Sequence, residues 1–198
     1  MNAIGEICGF IAGTIGIATA LPQVARIRRL GHTDGLALSP WLLMLMQFAA
    51  WTAFGLRVSS PSIMFSNLLT FATTALVVVA IVGNTLRNWL LIALGGLAIA
   101  AFVFFGPVTI TNLALIALTG SRLPQLIRTW INRASAKPTA VSVPSLVVSL
   151  TSMSFWMAFA ILTQNSLVVF TTTVALTITL LTALLEVNIS RRAAAAAI

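Results

Sequence analysis

Long apolar runs separated by short polar breaks fill this chain of 198 residues. A hydrocarbon core about 30 Å thick takes roughly 20 residues of helix. By that measure the pattern predicts seven spans, at about 4–25, 40–57, 62–83, 88–105, 108–129, 143–162 and 166–187. The breaks between them carry turn or helix-ending chemistry. Gly31 and Gly35 follow span one, and Pro40 suits the first turn of span two. Ser59-Ser60-Pro61 makes a tight turn, Gly83-Asn84 ends span three, and Gly106-Pro107 closes span four. Pro144 opens span six, and Gln164-Asn165 turns into span seven. The expected fold class is therefore an all-α membrane protein.

Basic residues set the expected orientation. With seven spans, Arg26, Arg28, Arg29, Arg87, Arg128, Arg133, Lys137, Arg191 and Arg192 all fall on one side. Arg122 lies inside span five near that side, and Arg57 alone falls on the other. Six spans would scatter this segregation. The positive-inside rule then puts the N-terminus outside and the C-terminus in the cytoplasm. Trp41, Trp89 and Trp130 sit beside the basic segments and read as an interfacial aromatic belt.

Composition agrees: 59% of residues are hydrophobic and 7% charged, with a mean hydropathy of +1.06, where a soluble domain has about 25% charged residues. The net charge of +8 belongs to span-flanking residues, so nucleic acid is not expected as a partner. The first apolar run has no basic residue before it and no convincing cleavage site, and reads as a retained span. The single cysteine, Cys8, excludes an internal disulfide and a multi-cysteine metal site. No metal-ligand cluster and no Ser/His/Asp set appears, so neither a metal, a cofactor nor enzyme activity is expected. The compact, alanine-rich style points to a bacterium and its plasma membrane.

One stretch occurs twice. Leu21-Pro22-Gln23-Val24-Ala25-Arg26 returns as Leu123-Pro124-Gln125-Leu126-Ile127-Arg128. A proline inside a helix removes one backbone hydrogen bond and crowds the carbonyl four residues back, here that of Ala18 or Gly120. No water is at hand in a membrane to satisfy that carbonyl. The glutamine that follows has an amide able to reach it or a neighbouring helix. Pro22, Gln23, Pro124 and Gln125 thus read as bendable points near the inner ends of their spans. Pro40 corresponds to Pro144, and Trp51 to Trp156. Spans one to three match spans five to seven, and span four is left as a linker. The expected units are 1–84, 85–107 and 108–198. An odd linking span gives both repeats the same orientation.

The repeat also places polar groups at depth. Trp51 lies eight residues before Ser59, and Asn67 eight after it. In an antiparallel pair both then sit about 12 Å from the turn. Trp156 and Thr172 flank Gln164 in the same way. Indole faces with N–H groups, plus an amide and a hydroxyl, suit a polar ligand with an apolar face, such as a sugar ring. The same residues could equally fill the core and bond helix to helix. Arg122 has no counterpart in the first repeat, where Ala20 stands. It reads either as snorkelling to headgroups or as a contact for a carboxylate on the substrate.

The acids are few. Glu6 is expected near the outer end of span one, Asp34 in a loop, and Glu186 at the inner end of span seven, pairing loosely with the basic C-terminal end. His32 also lies in a loop. With no carboxylate predicted at mid-depth, passive transport is favoured over proton coupling. The one lysine, Lys137, is in a loop, which argues against a retinal protein.

The two Pro-Gln motifs, each in the first helix of a three-helix unit, resemble the PQ-loop superfamily. The 3+1+3 plan resembles the SWEET sugar transporters, and each half is similar to a bacterial SemiSWEET. The resemblance implies that Trp51 and Asn67 bind substrate, with Trp156 in the second half and Thr172 standing where asparagine would be expected. It implies a facilitative carrier of a mono- or disaccharide, working by alternating access with Pro22 and Pro124 as hinges and Pro40 and Pro144 assisting. Intact copies of both motifs are also similar to cystinosin-like amino-acid transporters, so a PQ-loop carrier of amino acids or other carboxylates is the alternative. A non-transporting receptor, similar to the KDEL receptor, is a third reading. The expected partners are a small-molecule substrate and the lipid bilayer, with room left for a homo-oligomer.

Overall fold

The computed structural model describes residues 2–30, 38–134 and 143–195, without the side chains of residues 18–26, 28, 30, 134, 143 and 193–195. Pro22 and Gln23 are therefore seen as backbone only, and His32, Asp34, Lys137 and Pro138 lie outside the described residues. Among these, every regular element is a helix: α1 (Ala3–Leu30), α2 (Leu38–Arg57), α3 (Pro61–Val82), α4 (Leu86–Phe105), α5 (Val108–Thr119), α6 (Leu123–Ile131), α7 (Val143–Leu162) and α8 (Ser166–Ala195). A 3₁₀ turn, Gly120–Arg122, joins α5 to α6, and another, Asn132–Ala134, follows α6. Segments of α3, α4, α7 and α8 (Pro61–Val82, Leu86–Phe105, Pro144–Leu162, Ser166–Arg192) are each long and apolar enough to cross a bilayer. The protein is an integral membrane protein.

The helix ends follow from the sequence. Ser60 Oγ accepts from the Ile63 N–H, with Pro61 in the first turn of α3. Thr85 Oγ1 caps α4 through the Asn88 N–H, and Asn165 Oδ1 caps α8 through the Val168 N–H. The turn between α2 and α3 has a twin between α7 and α8. Ser59 and Gln164 both stand at φ 54°. The Ser60 N–H bonds the Gly55 carbonyl at 2.8 Å, and the Asn165 N–H bonds the Ala160 carbonyl at 3.0 Å.

Helix α1 lies between α3 and α7, α2 packs on α3 and α4, and α8 packs on α7 and on the α5–α6 pair. Glycines let α1 approach closely. A Cβ at Gly9 would fall 2.7 Å from Ser62 Cβ and 3.0 Å from Phe159, and one at Gly13 would collide with the Ser66 side chain. Such a small-residue stripe brings backbones together in membranes, where apolar surface alone gives little drive. Glu6 ties the same pair of helices at the Ser59 end. Its Oε1 accepts from Ser60 Oγ at 2.9 Å and its Oε2 from the Ser62 N–H at 2.8 Å.

Helix α4 is peripheral. Val103 is its one buried residue, while Leu86, Leu97 and Phe105 are widely exposed. Arg57 fastens its end. Pro107 has no N–H to offer the Val103 carbonyl, and Arg57 Nη1 donates to that carbonyl at 3.0 Å. The same nitrogen lies 3.2 Å from the Gly106 carbonyl and 3.3 Å from Thr111 Oγ1. Arg57 thus caps the end of α4.

Glu186 is more deeply packed than the sequence reading expects: it is 1% exposed, and one of its contacts is the Thr129 hydroxyl, which donates to its Oε1 at 2.7 Å. Residue 186 falls on the packed face of α8, which a linear reading of the charge at the end of an apolar run does not reveal.

Candidate functional site

The second Pro-Gln copy breaks its helix where the physics requires. Pro124 cannot supply the N–H that would bond the Gly120 carbonyl. The Leu123 N–H takes that carbonyl instead, closing the 3₁₀ turn Gly120–Arg122. Gln125 Nε2 donates to Thr129 Oγ1 at 3.3 Å. Through the Thr129 hydroxyl it reaches Glu186 on α8, so the amide serves a neighbouring helix rather than the freed carbonyl. The first copy differs: the α1 backbone is helical through Pro22 to Leu30. Pro40 lies in the first turn of α2 and Pro144 in that of α7.

Trp51, Asn67, Trp156, Thr172 and Arg122, singled out from the sequence, border one cavity of about 150 Å³. That is room for about five waters at roughly 30 Å³ each. Trp51 stands edge-on to Phe54 at 5.3 Å and 84°, and Trp156 to Phe159 at 5.5 Å and 83°. Each such pair contributes roughly 0.5–1.5 kcal/mol beyond area burial and holds its indole in place. Phe54 and Phe159 border a wider vestibule of about 740 Å³ at the Ser59 end. The wall between vestibule and cavity is therefore one aromatic pair thick on each side, backed by buried Ile63 and Val168.

A second chamber of about 160 Å³ adjoins the first. Phe48, Asn67, Arg122, Met153 and Trp156 border both. The second chamber adds the hydroxyls of Ser66, Thr70, Ser149 and Ser152, with Gly13 and Gly16 of α1.

The polar groups differ in what they have left to offer. Asn67 Nδ2 donates to the Ile63 carbonyl at 2.8 Å, which leaves its second N–H and its Oδ1. Thr171, beside Thr172, is tied back to the Leu167 carbonyl at 2.9 Å. No described residue bonds the Thr172 or Arg122 side chain.

Gln47 also borders the first cavity, and its Oε1 accepts from Ser121 Oγ at 3.3 Å. The sequence reading passed it over. A polar residue inside an apolar span, one helical turn before Trp51, was the available signal. Phe48 and Met153, at matching positions of α2 and α7, were unmarked because apolar residues in a span carry no sign of which face they occupy.

No known family profile matches this chain, and no curated protein matches its sequence. Among solved structures it is similar to that of a eukaryotic SWEET transporter determined at 3.7 Å, with a TM-score of 0.73 and 15% identity, over 96% of this chain and 100% of the other. At that identity the likeness is one of architecture: the chain has the fold of a SWEET transporter.

Proposed function

We propose that this protein is a facilitative transporter that moves a small, hydroxylated solute of the sugar class across the membrane by alternating access. Residues 1–84 and 108–198 form two like-oriented three-helix repeats, and 85–107 is the linking helix. The matched turns at Ser59 and Gln164, the matched caps at Ser60 and Asn165 and the twin tryptophan–phenylalanine pairs support the repeat. The peripheral, lipid-exposed position of α4 suits a linker. Pro22 and Pro124 act as hinges, with Gln23 and Gln125 beside them and Pro40 and Pro144 assisting. The N-terminus faces outward and the basic loops face the cytoplasm.

One observation carries this reading. Trp51 with Asn67, and Trp156 with Thr172 at the corresponding sequence positions, border a single cavity. A packing defect gives no reason for matched aromatic and polar groups on both sides.

The test is flux. Purified protein in liposomes should equilibrate labelled glucose or sucrose with no pH gradient, and Trp51→Ala with Asn67→Ala should remove most of that flux. Uptake undiminished in the double variant would refute the site.

A further inference from the structure

We infer that the site prefers a hydroxylated monocarboxylate, of the sugar-acid type, over a neutral sugar; this rests on the transporter reading above. The argument starts from charge. Arg122 borders both chambers, and a guanidinium stays protonated whatever its surroundings. No described residue supplies it with a hydrogen bond or an ion pair. The chain has three acidic residues. Glu6 serves Ser60 and Ser62 at the Ser59 end, Glu186 accepts from Thr129 in the α6–α8 contact, and Asp34 lies outside the described residues. Among the described residues, neither chamber is bordered by a carboxylate. Arg122 is exposed to this space rather than packed into the core, and a cation lining a cavity at membrane depth marks the path of a substrate or ion.

The rest of the site selects among anions. A single guanidinium balances one negative charge, and forks onto a carboxylate. A phosphate dianion would bring a second charge with no partner. An amino-acid zwitterion would bring an ammonium, and no bordering acid receives it. The acceptors present are neutral. Ser66 and Ser152 Oγ, Thr70 Oγ1 and Asn67 Oδ1 have lone pairs for ligand hydroxyls, while Thr172 and the second Asn67 N–H can donate. Trp51 and Trp156 give flat apolar faces to a ring or carbon chain. A carboxylate at Arg122, hydroxyls toward the serines and C–H groups toward the indoles use every group named.

An anion moving without a coupled ion carries current, so its flux follows membrane voltage. The probes are glucuronate and glucose, which share a ring and differ by a carboxylate at one carbon. The full chain should bind glucuronate at least tenfold more tightly than glucose by calorimetry, and an interior-positive potential should speed glucuronate uptake into liposomes. Arg122→Gln should erase the preference, and Arg122→Lys should keep part of it. Equal or tighter binding of glucose by the unaltered chain would overturn the inference, as would a preference that survives in Arg122→Gln. The unaltered chain decides the matter even if that variant does not fold. If glucose is carried, depends on Trp51 and Asn67, and is bound no worse than glucuronate, the inference fails alone. If neither probe binds or crosses, the transporter reading fails with it.

Discussion

Arg57 offers a sharp quantitative test. Its guanidinium replaces the N–H that Pro107 cannot give to Val103, and it holds the α4–α5 corner. Nη1 has two hydrogens and three acceptors within reach, so two bonds count at a time. Each hydrogen bond to a charged group is worth about 1.5–3 kcal/mol net when well buried. Arg57 is half-buried beside the vestibule, so the lower end applies. Arg57→Met keeps the alkyl stem, removes both bonds, and leaves the carbonyl of buried Val103 without this donor. The expected loss is about 2–4 kcal/mol, which for a chain of this size lowers Tm by about 4–16 °C. The assay is thermal unfolding of the detergent-purified protein, followed by intrinsic tryptophan fluorescence. Thr111→Val removes one of the three acceptors and should cost less, and the two changes should be less than additive because they share a nitrogen. An unchanged Tm for Arg57→Met would refute the capping role and return Arg57 to an ordinary surface charge.

Two further changes probe the packing. Gly13→Ala should destabilise by about 1–3 kcal/mol despite alanine's better helix propensity, because the new methyl meets Ser66; Ser66→Gly should relieve it, as read by a double-mutant cycle in Tm, and strict additivity would sink the idea. Thr129→Val keeps the side-chain shape but removes the donor to buried Glu186, so it should cost about 1–3 kcal/mol, while Thr129→Ser should be near neutral; equal Tm values for the two would contradict this.

Much of the architecture could be read before any coordinates. The breaks at Ser59-Ser60-Pro61, Gly83, Gly106-Pro107 and Gln164-Asn165 placed the helix ends beside them to within about two residues, because turn chemistry is local, whereas α1 and α8 run five and eight residues past the ends that apolar run length gave them. Trp51, Asn67, Trp156 and Thr172 could be grouped for a different reason, since distance from a tight turn fixes relative depth in an antiparallel pair; they border one cavity, together with Arg122, which that argument did not include. What escaped notice depends on which face of a helix meets which neighbour. The glycines of α1 gave no sign that Ser62 and Ser66 would sit against them. Glu6 and Glu186 looked like helix-end charges, yet one joins α1 to the start of α3 and the other is buried against α6. The unequal treatment of the two Pro-Gln copies, a 3₁₀ break at Pro124 and a continuous helix through Pro22, was equally hidden, since the two hexapeptides are nearly the same.

Cysteine accessibility tests the central claim most directly. Cys8 is the sole native thiol, so a Cys8→Ser background allows a single reporter in sealed vesicles, Met153→Cys, at a position that borders both chambers. If the cavity between the repeats is the solute path, a membrane-impermeant thiol reagent will modify position 153 from either face of the membrane, and glucuronate will slow both reactions. Modification from one face only, or from neither, in vesicles that still carry solute would contradict the account.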